Sequence, residues 1–102
     1  MRQIDTYITE KLHLRKGIQN EIYIIVVKYL GLGKCKYEIC SSMDEVLDTI
    51  KKYGTWYNAY KVDNIDTDDM DTFVSTIFQA TEKELNKMGI EECSNKILEL
   101  QK

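Results

Sequence analysis

The sequence predicts an α+β fold: a small three-stranded sheet packed by amphipathic helices, in the order α-β-β-α-β-α-α. Three observations predict it. Segments with helical spacing alternate with short runs dense in β-branched and aromatic residues. The stretch between the second and third of those runs is long enough for a parallel crossover. No proline, Ser/Gly linker or internal repeat interrupts the 102 residues, so 1–102 read as a single domain.

Residues 4–12, "IDTYITEKL", place Ile4, Tyr7, Ile8 and Leu12 three and four apart, the spacing of a short amphipathic helix. Gly17 and Asn20 then favour a turn. "EIYIIVVKYL" (21–30) is rich in stiff, β-branched side chains and apolar on both faces, as a central strand covered on both sides would be. A helix competes here, because Ile18, Ile22, Ile25 and Tyr29 also fit helical spacing. "GLGK" (31–34) suits a hairpin connection. "CKYEICS" alternates cleanly, with Cys35, Tyr37 and Ile39 on one face and Lys36 and Glu38 on the other.

"SSMDEVLDTIKKYG" (41–54) reads as a helix capped by Ser42 with Glu45 three residues on, and Gly54 ends it. Its inward face is Met43, Val46, Leu47, Ile50 and Tyr53. "TWYNAYKV" (55–62) reads as the third strand, with Trp56, Tyr60 and Val62 opposed to Tyr57 and Ala59. From Met70 to Met88, apolar residues recur at three and four for about five turns. That predicts one long helix stopped by Gly89, with "IEECSNKILELQK" as a shorter second helix facing inward through Ile90, Cys93, Ile97 and Leu100.

The composition bounds the function. With 43% apolar and 30% charged residues, the chain resembles an ordinary globular protein rather than a disordered one. Its longest apolar run, Ile22–Val27, is far shorter than the roughly 20 residues of a membrane span, so no membrane partner is expected. Polar residues interrupt the N-terminus, so no signal peptide is expected. Three cysteines (Cys35, Cys40, Cys93) cannot all pair within one chain, which suits reduced thiols in a cytoplasm. Residues 1–62 hold ten Lys/Arg against seven Asp/Glu; residues 63–102 hold four against ten. The overall charge of −3 disfavours nucleic acid, and the acidic C-terminal part suits a basic protein partner.

Five aspartates fall within nine positions: Asp63, Asp66, Asp68, Asp69 and Asp71. A helix N-terminus carries unsatisfied N–H groups and a partial positive charge. Asp66 or Asp68 can cap it, and Asp69 and Asp71 fall in the first turn. A helix start therefore accounts for three or four of the five. The second reading is an acidic partner-binding surface, to which Tyr57 would add an aromatic contact. A calcium loop fits poorly: counted from Asp66, position 5 is Met70 and position 6 is Asp71, where a ligand and a glycine belong.

Nothing else points to catalysis, to a metal or to another cofactor. His13 is the only histidine and stands beside no nucleophile motif. Cys35 and Cys40, five apart on a strand, point to opposite faces and miss zinc-knuckle spacing. "GLGK" lacks the rest of a phosphate-binding loop. Arg15, Lys16, Lys34 and Lys36, near Tyr29 and Tyr37, form the alternative of a small nucleic-acid patch, although lysines on a strand also protect a sheet edge. Tyr23, Tyr29, Tyr37, Tyr53, Trp56, Tyr57 and Tyr60 concentrate in the β-region. Tyrosine offers a large rigid surface with a polar tip, which favours a binding protein. Trp56 and Tyr60 could alternatively line an aromatic pocket for a nucleotide-like small molecule.

The opening "MRQIDTYITEKLHLRK" resembles one shared by many small phage and gut-bacterial proteins. Ile4, Tyr7-Ile8, Glu10-Lys11-Leu12, Leu14 and Lys16 carry the resemblance, which spans the first sixteen residues. It implies a phage or mobile-element origin and brings no active site. "LNKMGIEECSNKILEL" (85–100) resembles the Leu-x-x-Met/Leu-Gly-Ile turn between two helices of ubiquitin-associated and sterile-alpha-motif domains, through Leu85, Met88, Gly89, Ile90 and Leu98. That implies local turn geometry. The expected function is a small non-enzymatic binding protein that inhibits or modulates a host defence protein in the host cytoplasm. A homodimer is a further expectation, because a three-stranded sheet has edges to cover.

Overall fold

The computed structural model describes residues 21–63, 65 and 67–102. The helix expected over 4–12, together with His13, Arg15, Lys16 and Asp66, lies outside the described residues. The remainder is α+β, with four strands and four helices among the described residues. Strands β1 (Ile22–Gly31), β2 (Lys34–Cys40), β3 (Asn58–Val62) and β4 (Ile90–Glu92) form one antiparallel sheet in the order β2-β1-β3-β4. The helices are α1 (Met43–Tyr53), α2 (Met70–Gln79), α3 (Glu82–Lys87) and α4 (Ser94–Leu100).

Strand β1 resolves the choice between strand and helix. Its first six residues are all buried, in alternation on the two faces. Ile22, Ile24 and Val26 join α2 and α3 in one cluster, with Ile39, Tyr60, Val62, Met70, Val74, Ile77 and Leu85. Tyr23, Ile25 and Val27 join α1 and α4 in the other, with Cys40, Val46, Ile50, Ala59, Cys93 and Ile97. Six consecutive buried residues suit a strand between two helical layers. A helix would have turned part of that run toward solvent.

Both β2 and β3 pair antiparallel with β1, so they run parallel to each other with β1 between them and α1 crossing over. The sheet register sets Tyr23 opposite Cys40 and Lys61. Two irregularities interrupt the β1–β2 ladder, between Val26 and Lys28 and between Tyr29 and Gly31. Such bulges bend a strand and re-aim its side chains. Helix α1 forms as its sequence suggests: the Ser42 hydroxyl accepts from the Glu45 N–H at 3.2 Å, and Gly54 closes the other end with φ +75°.

Three expectations need correction. The long helix over 70–88 is two helices, because Ala80 and Thr81 are extended (ψ 149° and 162°). The Thr81 hydroxyl accepts from the Glu84 N–H at 3.2 Å, while the Glu84 carboxylate accepts from the Thr81 N–H at 3.3 Å. That reciprocal capping starts α3 anew, and a continued helix would forgo it. The sheet has four strands rather than three. Gly89, with φ +73°, turns the chain after α3, and Ile90 then pairs with Val62. The turn at Met88–Gly89–Ile90 therefore leads from a helix into a strand, unlike the helix–helix turn it resembles. Leu100, expected to face inward, is exposed.

Candidate functional site

Two features stand out where side chains meet solvent: the start of α2 and the end of the β1–β2 hairpin.

At the start of α2 the aspartates divide by task. Asp69 is the N-cap, and its carboxylate accepts the Thr72 N–H at 3.1 Å and the Thr72 hydroxyl at 2.8 Å. Those bonds hold its carboxyl below the usual value of 3.8. Asp71 lies in the first turn and accepts the Tyr37 hydroxyl at 2.7 Å, which ties α2 to β2. Burial, and then this bond, raise the Tyr37 phenol above its ordinary range. Asp63 and Asp68 are exposed. The structure thus gives Asp69 and Asp71 structural work. Among the described residues, no group of three or more His, Cys, Asp or Glu side chains could hold a metal ion.

At the hairpin end, Tyr29 lies between two other rings. Its centroid is 4.5 Å from that of Tyr57 and 4.7 Å from that of Phe78, at tilts of 44° and 50°. Such tilted contacts suit the aromatic quadrupole. The Tyr29 hydroxyl donates to Asn58 Oδ1, and the Tyr57 N–H donates to the Val26 carbonyl at 2.8 Å. The stack is therefore anchored to β1, β3 and α2. Beyond it the loop residues Leu32 and Gly33 both have positive φ, +55° and +74°, the condition of a type I′ turn. Asn-Gly usually meets that condition; here a leucine does. Leu32 is 100% exposed, Leu30 59%, Tyr57 51% and Tyr29 39%. From α2, the Ser75 hydroxyl donates to the Gly33 carbonyl at 2.9 Å and steadies the turn.

Sequence reasoning singled out Tyr57 but missed Leu30, Leu32 and Phe78. The available signal was the leucine in "GLG", at a turn position that favours Asn, Asp or Gly. Trp56 and Tyr60 do not share a face. Trp56 precedes β3 and packs in the cluster with α1, whereas Tyr60 lies in the cluster with α2, across the sheet. Burial pushes the Tyr60 phenol up to about 12, the mark of a core tyrosine. Lys34 and Lys36 are both exposed on β2, and Lys36 Nζ lies 5.1 Å from the centre of the Tyr53 ring. None of the three cysteines is in a disulfide; Cys40 and Cys93 are buried, and burial pushes Cys93 up to about 11. No described helix is long and apolar enough to cross a membrane.

Compared with known proteins, the chain matches no family model, no curated protein and no solved structure.

Proposed function

We propose that this chain is a small non-enzymatic binding protein of phage or mobile-element origin that modulates a host defence protein in the host cytoplasm. The aromatic end of the β1–β2 hairpin is its contact surface. One observation carries this reading: Leu32 is fully exposed on a left-handed backbone, three residues along the chain from Tyr29, the middle ring of the Tyr57–Tyr29–Phe78 stack. A leucine in that conformation costs roughly 1–2 kcal/mol relative to a relaxed one. Stability alone favours Asn or Gly there, so the leucine is explained by a partner that buries it. Burying it fully returns roughly 1.5–3 kcal/mol. The tyrosines of that stack supply contact area at low entropic cost, the composition of binding hot spots.

The carboxylates of 63–71 supply charge. Asp71 and Phe78 are two turns apart on α2, about 10 Å at 1.5 Å per residue, so both fit within one interface of ordinary size. The origin rests on the opening sixteen residues, and the cytoplasmic setting on three cysteines outside any disulfide.

The test is affinity capture from lysates of candidate bacterial hosts with three baits: wild type, L32N/Y57A, and the variant with Asp63, Asp66 and Asp68 changed to Asn. One host protein retained by wild type, lost by L32N/Y57A and held less tightly by the Asn variant or in high salt is the expected result. Equal capture by wild type and L32N/Y57A would place the contact elsewhere.

A further inference from the structure

The hairpin end has a second face, and it is basic. Residues 28–37 hold Lys28, Lys34 and Lys36 and no Asp or Glu. Lys34 lines the groove between β2 and α2, which Asp71 and Glu84 also line. Lys28 and Lys36 stand apart from it. The register sets them opposite one another on β1 and β2, and antiparallel partners share a face of the sheet. Cys35 and Tyr37, on either side of Lys36, pack on the cluster with α2 and α3, so Lys36 takes the other face. Its Nζ lies 5.1 Å from the centre of the Tyr53 ring, and Lys52 Nζ lies 5.8 Å from the same centre.

The carboxylates on this side are few. Glu38 accepts the Tyr53 hydroxyl at 2.9 Å, and Asp48 lies one turn before Lys52 on α1. Among the described residues, neither Lys28 nor Lys36 has an ion pair, and both side chains are exposed. Like charges directly opposite on a sheet repel, so this pair weakens the hairpin unless an outside anion neutralises it. Lys28 also adjoins Tyr29 in the chain, so the basic pair borders the exposed apolar residues Tyr29, Leu30 and Leu32.

We propose that the protein partner of the hairpin end carries carboxylates beside the apolar site that takes Leu32, and that Lys28 and Lys36 bind those carboxylates. The proposal rests on the hairpin contact of the proposed function and adds the partner's chemistry to it: an apolar centre with an acidic rim, the complement of a leucine bordered by two ammonium groups. Nucleic acid would also supply anions. Two ammonium groups already lie over the Tyr53 ring, where a base would stack, and the chain carries a net charge of −3, so an acidic protein surface fits better.

The probe is a water-soluble carbodiimide, applied to the full-length chain in lysate of a candidate host with and without nuclease. It joins a lysine amine to a carboxylate as an amide, and takes up the water lost by becoming a urea. A photo-crosslinking residue at position 32 reports the hairpin contact in the same lysate. The expected result is that the protein crosslinked at position 32 is also amide-linked, through its own Asp or Glu, to Lys28 or Lys36, as read by mass spectrometry. K28E/K36E should lower the position-32 adduct at least tenfold, whereas K28R/K36R, which keeps both charges, should retain it. K28Q/K36Q should also lose adduct while its urea midpoint is no lower than that of wild type, because it relieves the repulsion; its loss of binding is then not a loss of fold. A position-32 adduct that K28E/K36E keeps in full would overturn the proposal and leave the hairpin contact standing. An adduct that nuclease abolishes would overturn it in favour of nucleic acid. No adduct from wild type would remove the hairpin contact and this proposal with it.

Discussion

Leu32 and Asp69 show how single residues divide between stability and function. Asparagine tolerates the left-handed region where leucine does not, so L32N is expected to raise stability by about 1 kcal/mol in urea denaturation. If Leu32 is kept for a partner, the same variant binds less well while being more stable, and the two effects cannot share one cause. Asp69 titrates in the opposite sense from a buried acid. Its folded-state value lies below the ordinary 3.8, so its contribution is complete above that value and is lost as pH falls through the lowered one. D69N keeps an oxygen to cap α2 but removes the charge. Its stability is therefore expected to vary less with pH than that of wild type below about pH 4, as measured by denaturation across pH 2–6.

The elements show why some of the structure was legible in the sequence and some was not. Strand β2 and α1 were readable because each carries its period over enough residues to outvote local ambiguity, whereas β1, apolar on both faces, shows no period and left strand and helix in competition. The break between α2 and α3 was hidden because Phe73, Ile77, Leu85 and Met88 keep helical spacing across it, although "TEKE" (81–84) is itself a capping box. T81A is accordingly expected to cost about 1 kcal/mol, read as a lower urea midpoint at unchanged slope. Strand β4 was hidden by brevity, since three residues hold too little alternation to show a period of two. Only its pairing with β3, from Ile90 with Val62 to Glu92 with Tyr60, remote in sequence, defines it. The hairpin surface was half legible: Tyr57 is visible as composition, whereas its stacking with Phe78 depends on how α2 crosses the sheet.

At the scale of the molecule, the sheet sits between two helical layers and β1 serves both. Ile24 and Ile25 are neighbours in sequence but belong to different clusters, each with no exposed surface. I24A and I25A are each expected to cost roughly 2–5 kcal/mol, because each opens a cavity in a separate core. Comparable losses from the two variants in chemical denaturation would verify that both faces are filled. A much milder loss from one would show that its face is loosely packed. This two-sided core covers β1 through Val27, and beyond it the Ser75–Gly33 hydrogen bond ties the exposed hairpin end to α2.

The most direct measurement of the central claim places a photo-crosslinking amino acid at position 32, and in a second variant at position 98, then irradiates each in lysate of a candidate host. Leu98 is a suitable control because it is also exposed, on α4. The account predicts one host-protein adduct from position 32, abolished by Y57A, and none from position 98. The same adducts from both positions, or none from position 32 in any lysate, would contradict it.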